Sequence, residues 1–545
     1  MALRFSSLFL ALALLALPAF AQTAPDAGSL LRSIEKSTPP PTPAPQLGGA
    51  TGEAAPAARE SGVKVLVKDF DLQARQFPAS ELKEVVKGYI GRELTLAELQ
   101  KAAMKISDYY RDKGFMARAY LPKQKIHNGV VKIIVLEGKL GSIRIDPKSK
   151  SRLDPDLAKG FIESRMPAGQ LLRPGDLREG VLVLNELPGV SAASSLQKGK
   201  QDGETDAVIK LEDGPLLSGA VSADNAGVRS VGSKRGIATL SLNDALGMGD
   251  QLSFIGVASG FSQYARMAAT APVGTSGFAL GANIAGLRYN VDHDFNSANQ
   301  NGYALVFGAT ASYPIIRSSS FSLSADSAFD HKRLVNFSLG LNTSDKDVDV
   351  GEVGVSGIAS DDVLAGAVNT FGGSLSAGSL DLSANAGNLT QDQASARTNG
   401  VYSKVAARAA RLQNFDETHQ LFVSASGQLA PTNLDSSEQF SLGGPQGVRA
   451  YPVNEGLGDL GFLGRVELRH NLMEGFQLFE LYDAGWIAQH ENTWAGWNAG
   501  NPQPNSYWLQ GAGIGANWTP LLGMQLAATL AHTIGNNPGR ALNGD

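Results

Sequence analysis

The residues best suited to chemistry cluster late in the chain. Residues 443–452 read GGPQGVRAYP, a turn-rich stretch that carries a cation and an aromatic ring, Arg449 and Tyr451, at its tip. A few positions on, Arg465, Glu467 and Arg469 alternate with Phe462, Val466 and Leu468. In an extended strand, alternate residues share a face. Those charges therefore line one side of a strand whose other side is apolar. Such a row is costly inside a sandwich core and natural beside a water-filled lumen.

Other constellations point away from catalysis. Asp292-His293-Asp294 is the only compact potential metal cluster and reads more readily as a surface turn, so no metal site and no cofactor are expected. Gly227, Gly232, Ser233 and Lys234 imitate a phosphate loop, but the Lys and Ser order is reversed and the context is a turn between strands. No G-x-S-x-G occurs. The expectation is that the protein is not an enzyme.

The elements that must hold these residues follow from pattern. The chain has 545 residues, no cysteine, 62 glycines and a net charge of -5. That excludes disulfide scaffolds and cysteine nucleophiles, and it gives no basic surface for nucleic acid. Residues 1–21 read as a secretory leader, with Arg4, an apolar run over 8–17 and an A-x-A site ending at Ala21. A membrane anchor would need about 20 apolar residues. Residues 26–36 fit a short helix capped by Asp26, with Leu30, Leu31 and Ile34 on one edge, or a frayed tail. Residues 37–61, rich in proline, form an extended linker.

Residues 62–140 and 141–213 read as two small α+β modules. Thr95 and Glu98 form a capping-box signature, and Leu99, Ala103, Ile106 and Tyr110 repeat at helical spacing. From residue 214 helical periodicity gives way to about fifteen alternating segments of roughly ten residues each. With the leader, they indicate an outer-membrane β-barrel; a secreted β-solenoid or sandwich array is the alternative on pattern alone. Single-chain barrels use even strand numbers, so a closing strand is expected to be missing, unless the count is off by one. Glu480 and Asp483 fall on opposite faces of one segment, which defeats a simple assignment there.

Several motifs resemble one family, the two-partner secretion transporters of Gram-negative outer membranes (the TpsB type, which exports haemolysins and filamentous haemagglutinins). "YYRDKGFMARAYLPKQKIHNGVVKIIVLEGKLGSIRI" (109–145) resembles the first POTRA domain, and "LRPGDLREGVLVLNELPGV" (172–190) with "GETDAVIKLEDG" (203–214) resembles the second. "DNAGVRSVGSKRG" (224–236) and "NDALGMGDQL" (243–252) are similar to the first barrel hairpin. Val448, Arg449, Ala450 and Tyr451 resemble the V-R-G-Y signature of a loop, here near 441–458, that folds into the lumen. Ala450 stands in place of the usual glycine. Asp483 and Gly485 match the F-x-D-x-G motif of the inner wall, with Leu481 where phenylalanine is usual.

The resemblance implies a POTRA tandem in the periplasm followed by an antiparallel barrel of about 16 strands. It implies a pairing of Arg449 with Asp483, a plug made by the N-terminal helix, and a monomer surrounded by outer-membrane lipid. It also implies secretion of one large, β-helical exoprotein, an adhesin or haemolysin, whose N-terminal secretion domain the POTRA domains bind. A barrel-assembly factor of the same superfamily is the alternative, and a passive porin a lesser one.

Overall fold

The computed structural model describes residues 8–10, 25–38 and 64–539, apart from 202, 296–297, 500–502 and 522. The expected leader lies outside these residues save for its tripeptide 8–10, and the proline-rich linker lies outside them save for its first two residues.

The first module is built on the helix Leu96–Asp112, whose N-terminus carries the full capping box between Thr95 and Glu98. Its apolar stripe, Leu99, Ala103, Ile106 and Tyr110, packs on a three-stranded sheet of Asp69–Gln73, Val130–Glu137 and Ala117–Tyr120, in that order. A second helix, Ala79–Val86, is too short to betray itself by period. The second module repeats the plan. Helices Pro155–Glu163 and Pro174–Asn185 cover a sheet ordered Lys139–Ile145, Glu204–Asp213, Val190–Lys198. Its first strand begins at Lys139, inside the range 62–140 assigned to the first module. The modules are stitched by backbone bonds: Met116 N to Leu172 O (2.9 Å), Leu172 N to Gly138 O (2.8 Å) and Gly138 N to Met116 O (2.9 Å).

From Leu217–Asp224 to Met524–Thr533, fifteen strands pair antiparallel, each with the next long strand along the chain. They lengthen towards the middle, up to 21 residues in Leu341–Asp361. Alternation resolves as expected. Phe462, Val466 and Leu468 are exposed on the outer face, while Leu463 and Glu467 are buried on the inner one. The ambiguous segment is resolved too. Phe479, Leu481 and Asp483 point inward, whereas Glu480 points outward and pairs with His470 at 2.8 Å.

The described long strands number fifteen, one short of an even count. The first and last long strands do not pair with each other; Leu8–Leu10 lies between them, parallel to both. Phe9 is in register with Ser222 on one side and Gln525 on the other. This places part of the expected leader in the wall.

One barrel end abuts the second module. Asp154 N donates to Gly247 O (2.9 Å), Ser164 Oγ to Thr275 O (2.9 Å) and Arg165 Nη2 to Ser276 O (2.9 Å). The guanidinium of Arg317, at the end of Asn301–Arg317, forms a two-pronged pair with Glu186.

Candidate functional site in the barrel lumen

The loop between strands His419–Leu429 and Leu460–Met473 leaves the far end of the barrel and turns inward. Its stem closes with the short pair Phe440–Ser441 and Leu457–Gly458. Tight turns set its tip. Val448 N donates to Leu442 O at 2.6 Å, and a Cβ on Gly447 would fall 1.7 Å from that same oxygen, so only glycine fits there. Val448 and Tyr451 are buried with Leu442, Leu463, Ile487, Tyr507 and Leu509, which anchors the tip to the wall. Ala450 has no positive φ, so the small-for-small exchange meets no backbone demand. Its methyl lies against Gly511, where an added Cβ would approach it to 2.5 Å.

This anchoring delivers Arg449 to the wall. Its Nε and Nη2 donate to the two oxygens of Asp483 at 2.8 and 2.7 Å, and its backbone N–H donates to Asp483 Oδ2 at 3.0 Å. Its remaining Nη1 donates to Glu467. Glu467 also accepts from Arg469 Nε and Nη2 at 2.8 and 2.6 Å. Arg465 stands 3.6 Å from Asp483 and 3.7 Å from Glu467, close enough for charge attraction and too far for hydrogen bonds. All five charges thus meet at one place: three arginines around two carboxylates, with Asp483 fully buried. The register Arg465 to Asp483 on adjacent strands puts them on one face. Gly485 serves the same contact, because a Cβ there would fall 2.4 Å from Leu442 Cδ2 and 2.9 Å from Phe462 O.

The helix Ala27–Ser37 lies inside the barrel beside this loop. Asp26 caps it through Ser29 N (2.9 Å), and Ser29 completes a capping box. Ala27, Leu30, Leu31 and Ile34 are buried against lumen-facing Tyr264, Tyr289 and Val306. The polar side is tied to wall and loop together. Lys346 lies 3.3 Å from Asp26 and 2.6 Å from the loop's Asp435, and Ser436 Oγ donates to Asp26 Oδ2 at 2.5 Å. Deeper in the loop, Glu438 is held by Lys332 (2.8 Å) and Lys404 (2.7 Å). These pairs were not visible in the sequence. Their partners lie some 34 to 320 residues apart, and the available signal was a lysine at inward positions of otherwise apolar-alternating strands.

Asp292-His293-Asp294 lies at the start of a single 3-10 turn in a far-end loop. Among the described residues no group of His, Asp or Glu is arranged to hold a metal ion.

Comparison with known proteins adds a family. The model of the haemolysin secretion/activation proteins ShlB/FhaC/HecB matches residues 203–517, and a POTRA domain of the ShlB type matches residues 65–138. The heme/hemopexin transporter protein HuxB of Haemophilus influenzae (strain 86-028NP) is 27% identical over 94% of this chain and 92% of its own. The structure of CdiB from Escherichia coli superposes with a TM-score of 0.70 at 20% identity, covering 89% of each chain. That of CdiB from Acinetobacter baumannii gives 0.62 at 16% identity, over 94% of this chain and 96% of its own.

Proposed function

The chain belongs to the haemolysin secretion/activation family of ShlB, FhaC and HecB, and from that membership we propose how its parts divide the work of secretion. It is an outer-membrane translocator of two-partner secretion, with its POTRA modules in the periplasm and its barrel in the membrane. The observation that carries the mechanism is a barrel whose lumen holds two segments, the helix Ala27–Ser37 and the loop tip at Arg449, each held to the wall by ion pairs.

The partner's unfolded secretion domain docks first on the modules. Supporting this, the strand Val190–Lys198 is a sheet edge exposed from Ala193 onward, and its sequence has no proline and no charge before Lys198. Unprotected edges of this kind accept an added strand. The chain then enters the lumen as the helix withdraws and the loop tip lets go. No step needs a nucleotide, since folding at the surface makes passage directional. The cargo is a large β-helical exoprotein, an adhesin or haemolysin class molecule, and the translocator works as a monomer. An assembly factor for other barrels is disfavoured by the presence of only two modules before the barrel among the described residues.

The test is a mass-spectrometric comparison of medium, cell surface and outer membrane between wild type and a deletion strain. One large protein should vanish from surface and medium while other barrels keep their levels. A common fall of many outer-membrane barrels would overturn the reading in favour of assembly.

A further inference from the structure

A cavity of about 130 Å³ separates the N-terminal helix from the lumen loop. A cavity needs only about 10–15 Å³ of such space to hold one water, so this one has room for several waters or one tetrahedral oxyanion. Three cations line it, Arg32 and Lys36 from the helix and Arg235 from the wall, against one carboxylate, Asp224. Asp224 is already taken. Arg235 Nε and Nη2 donate to its two oxygens at 2.9 and 2.8 Å, and Arg235 Nη1 donates to Ser37 Oγ at 2.8 Å.

Arg32 and Lys36, one helical turn apart, form no ion pair within 4 Å among the described residues, although Arg32 also borders a second cavity that holds Glu35 and Glu438, and the exposed Lys36 lies over the Phe440 ring at 5.5 Å. The Lys36 ammonium donates to the carbonyl of Ser441 at 3.2 Å. Arg32 Nη1 is buried and has no acceptor among the described residues. The carboxylate whose field reaches Arg32, Glu438, is itself held by Lys332 and Lys404. A buried guanidinium N–H without an acceptor is costly, and so is a pair of like charges one turn apart. Both costs vanish when an anion with several acceptor oxygens sits between them, since the guanidinium fork matches phosphate geometry.

We propose that this cavity binds a compact oxyanion of the phosphate class, held by Arg32 and Lys36. Its consequence rests on the plug reading above: a bound anion bridges helix and loop and holds the lumen shut. Free inorganic phosphate and the phosphomonoester headgroup of a lipid carry the same chemistry.

The test uses the full chain in phosphate-free detergent. Calorimetric titration with inorganic phosphate, against chloride at equal ionic strength, is expected to give saturable heat. Arg32→Gln and, separately, Lys36→Gln should each weaken binding about tenfold, the effect of losing one charge-assisted hydrogen bond, while Lys234→Gln on the exposed first hairpin loop leaves it unchanged. No saturable heat in wild type, or binding as tight as wild type in both variants, overturns the site. In planar bilayers, phosphate should make channel openings rarer in wild type and not in Arg32→Gln. A response confined to bilayers containing a phosphomonoester lipid identifies the headgroup as the source. Variant-sensitive binding without any change in openings keeps the site and removes the plug reading instead.

Discussion

Asp483 receives three hydrogen bonds from one residue: both oxygens accept from the guanidinium of Arg449, and Oδ2 also accepts from its backbone amide. The contact therefore fixes main chain as well as side chain. The loop tip cannot swing away by a rotamer change alone; the whole segment must leave the wall.

The pair is buried, with Asp483 at 0% and the Arg449 side chain at 8% exposure. Removing one partner of a buried pair costs on the order of 3 kcal/mol. The two single variants differ in severity. Arg449→Ala leaves Glu467 with Arg469 and leaves Asp483 near Arg465. Asp483→Ala leaves three arginines around Glu467. Secretion and thermal stability should therefore fall further in Asp483→Ala than in Arg449→Ala. A charge exchange of the two residues should restore little, because an aspartate at 449 faces Glu467. Asp483→Ala with Arg465→Ala should recover part of the stability lost in the single variant, measured by heat-modifiable mobility of the barrel.

Gly485→Ala tests the loop seat without touching a charge. The added methyl meets Leu442 Cδ2 at 2.4 Å and the carbonyl of Phe462 at 2.9 Å. Backbone on one side and a buried loop residue on the other leave it little room. The loop should lift, exposing residues near Val448 to a thiol-specific label introduced there in the cysteine-free chain. Labelling no faster than in the parent would show that the wall yields instead.

Removing residues 22–40 should raise channel conductance in planar bilayers, and unchanged conductance would count against a plug. A subtler form of the test uses Lys346. Without its ammonium, Asp26 and Asp435 face one another with no cation between them, and like charges at that distance repel. Lys346→Ala should make openings more frequent. Adding Asp26→Asn should bring them back towards the parent level, since the repulsion then disappears while Ser436 keeps a partner.

What was legible beforehand followed local rules. The Asp26 cap, the helix from Leu96 and the inward set Arg465, Glu467 and Arg469 each depend on spacings of two to four residues, and such spacings survive folding. The pairing of Arg449 with Asp483 came from resemblance. The role of Glu467 as a second acceptor for Arg449 was not legible, because it depends on how deeply the loop descends. Nor were Lys346 to Asp435 or Lys332 to Glu438, where a wall lysine meets a loop carboxylate across the lumen. The start of the second module at Lys139 was missed by two residues because the two sheets are joined through backbone bonds at Gly138, with no polar linker to mark the seam.

Asp459, at the extracellular base of the loop, gives the protein a pH signature. Its carboxylate is fully buried and accepts from Leu434 N (3.0 Å), Gln439 Nε2 (3.1 Å) and Glu491 N (2.9 Å), tying two surface loops together. Burial raises its pKa to about 6, partly offset by those hydrogen bonds. An unfolded aspartate titrates near 3.8. Between these values the folded form holds a proton that the unfolded form lacks, so stability should rise as pH falls from above 6 towards 4. Asp459→Asn should flatten that part of the profile, measured by unfolding temperature across pH. A wild-type profile that falls over this window would contradict the assignment.

A buried ion pair joins the second module to the barrel. Arg317 is 4% exposed and its partner Glu186 18%. Arg317 Nη1 also donates to the carbonyls of Ile316 and Leu323 at 2.9 and 2.8 Å, so the guanidinium is held by the barrel and presented to the module. Arg317→Ala leaves Glu186 charged against a protein surface with no cation in place. Glu186→Gln keeps a hydrogen-bond acceptor for Arg317 and strands no carboxylate. If the pair fixes the second module to the barrel mouth, Arg317→Ala should loosen it and speed proteolysis between the module and the first barrel strand. Glu186→Gln should do so less. Barrel closure should persist in both variants, because the strands pair by backbone independently of the module, while Arg317→Ala also loses its bonds to Leu323 and Ser324. Secretion should drop in the same order as docking, since a partner captured on a detached module is no longer delivered to the lumen. Loosened docking with full secretion would mean that the module serves as a tether alone, and that entry does not depend on where it points.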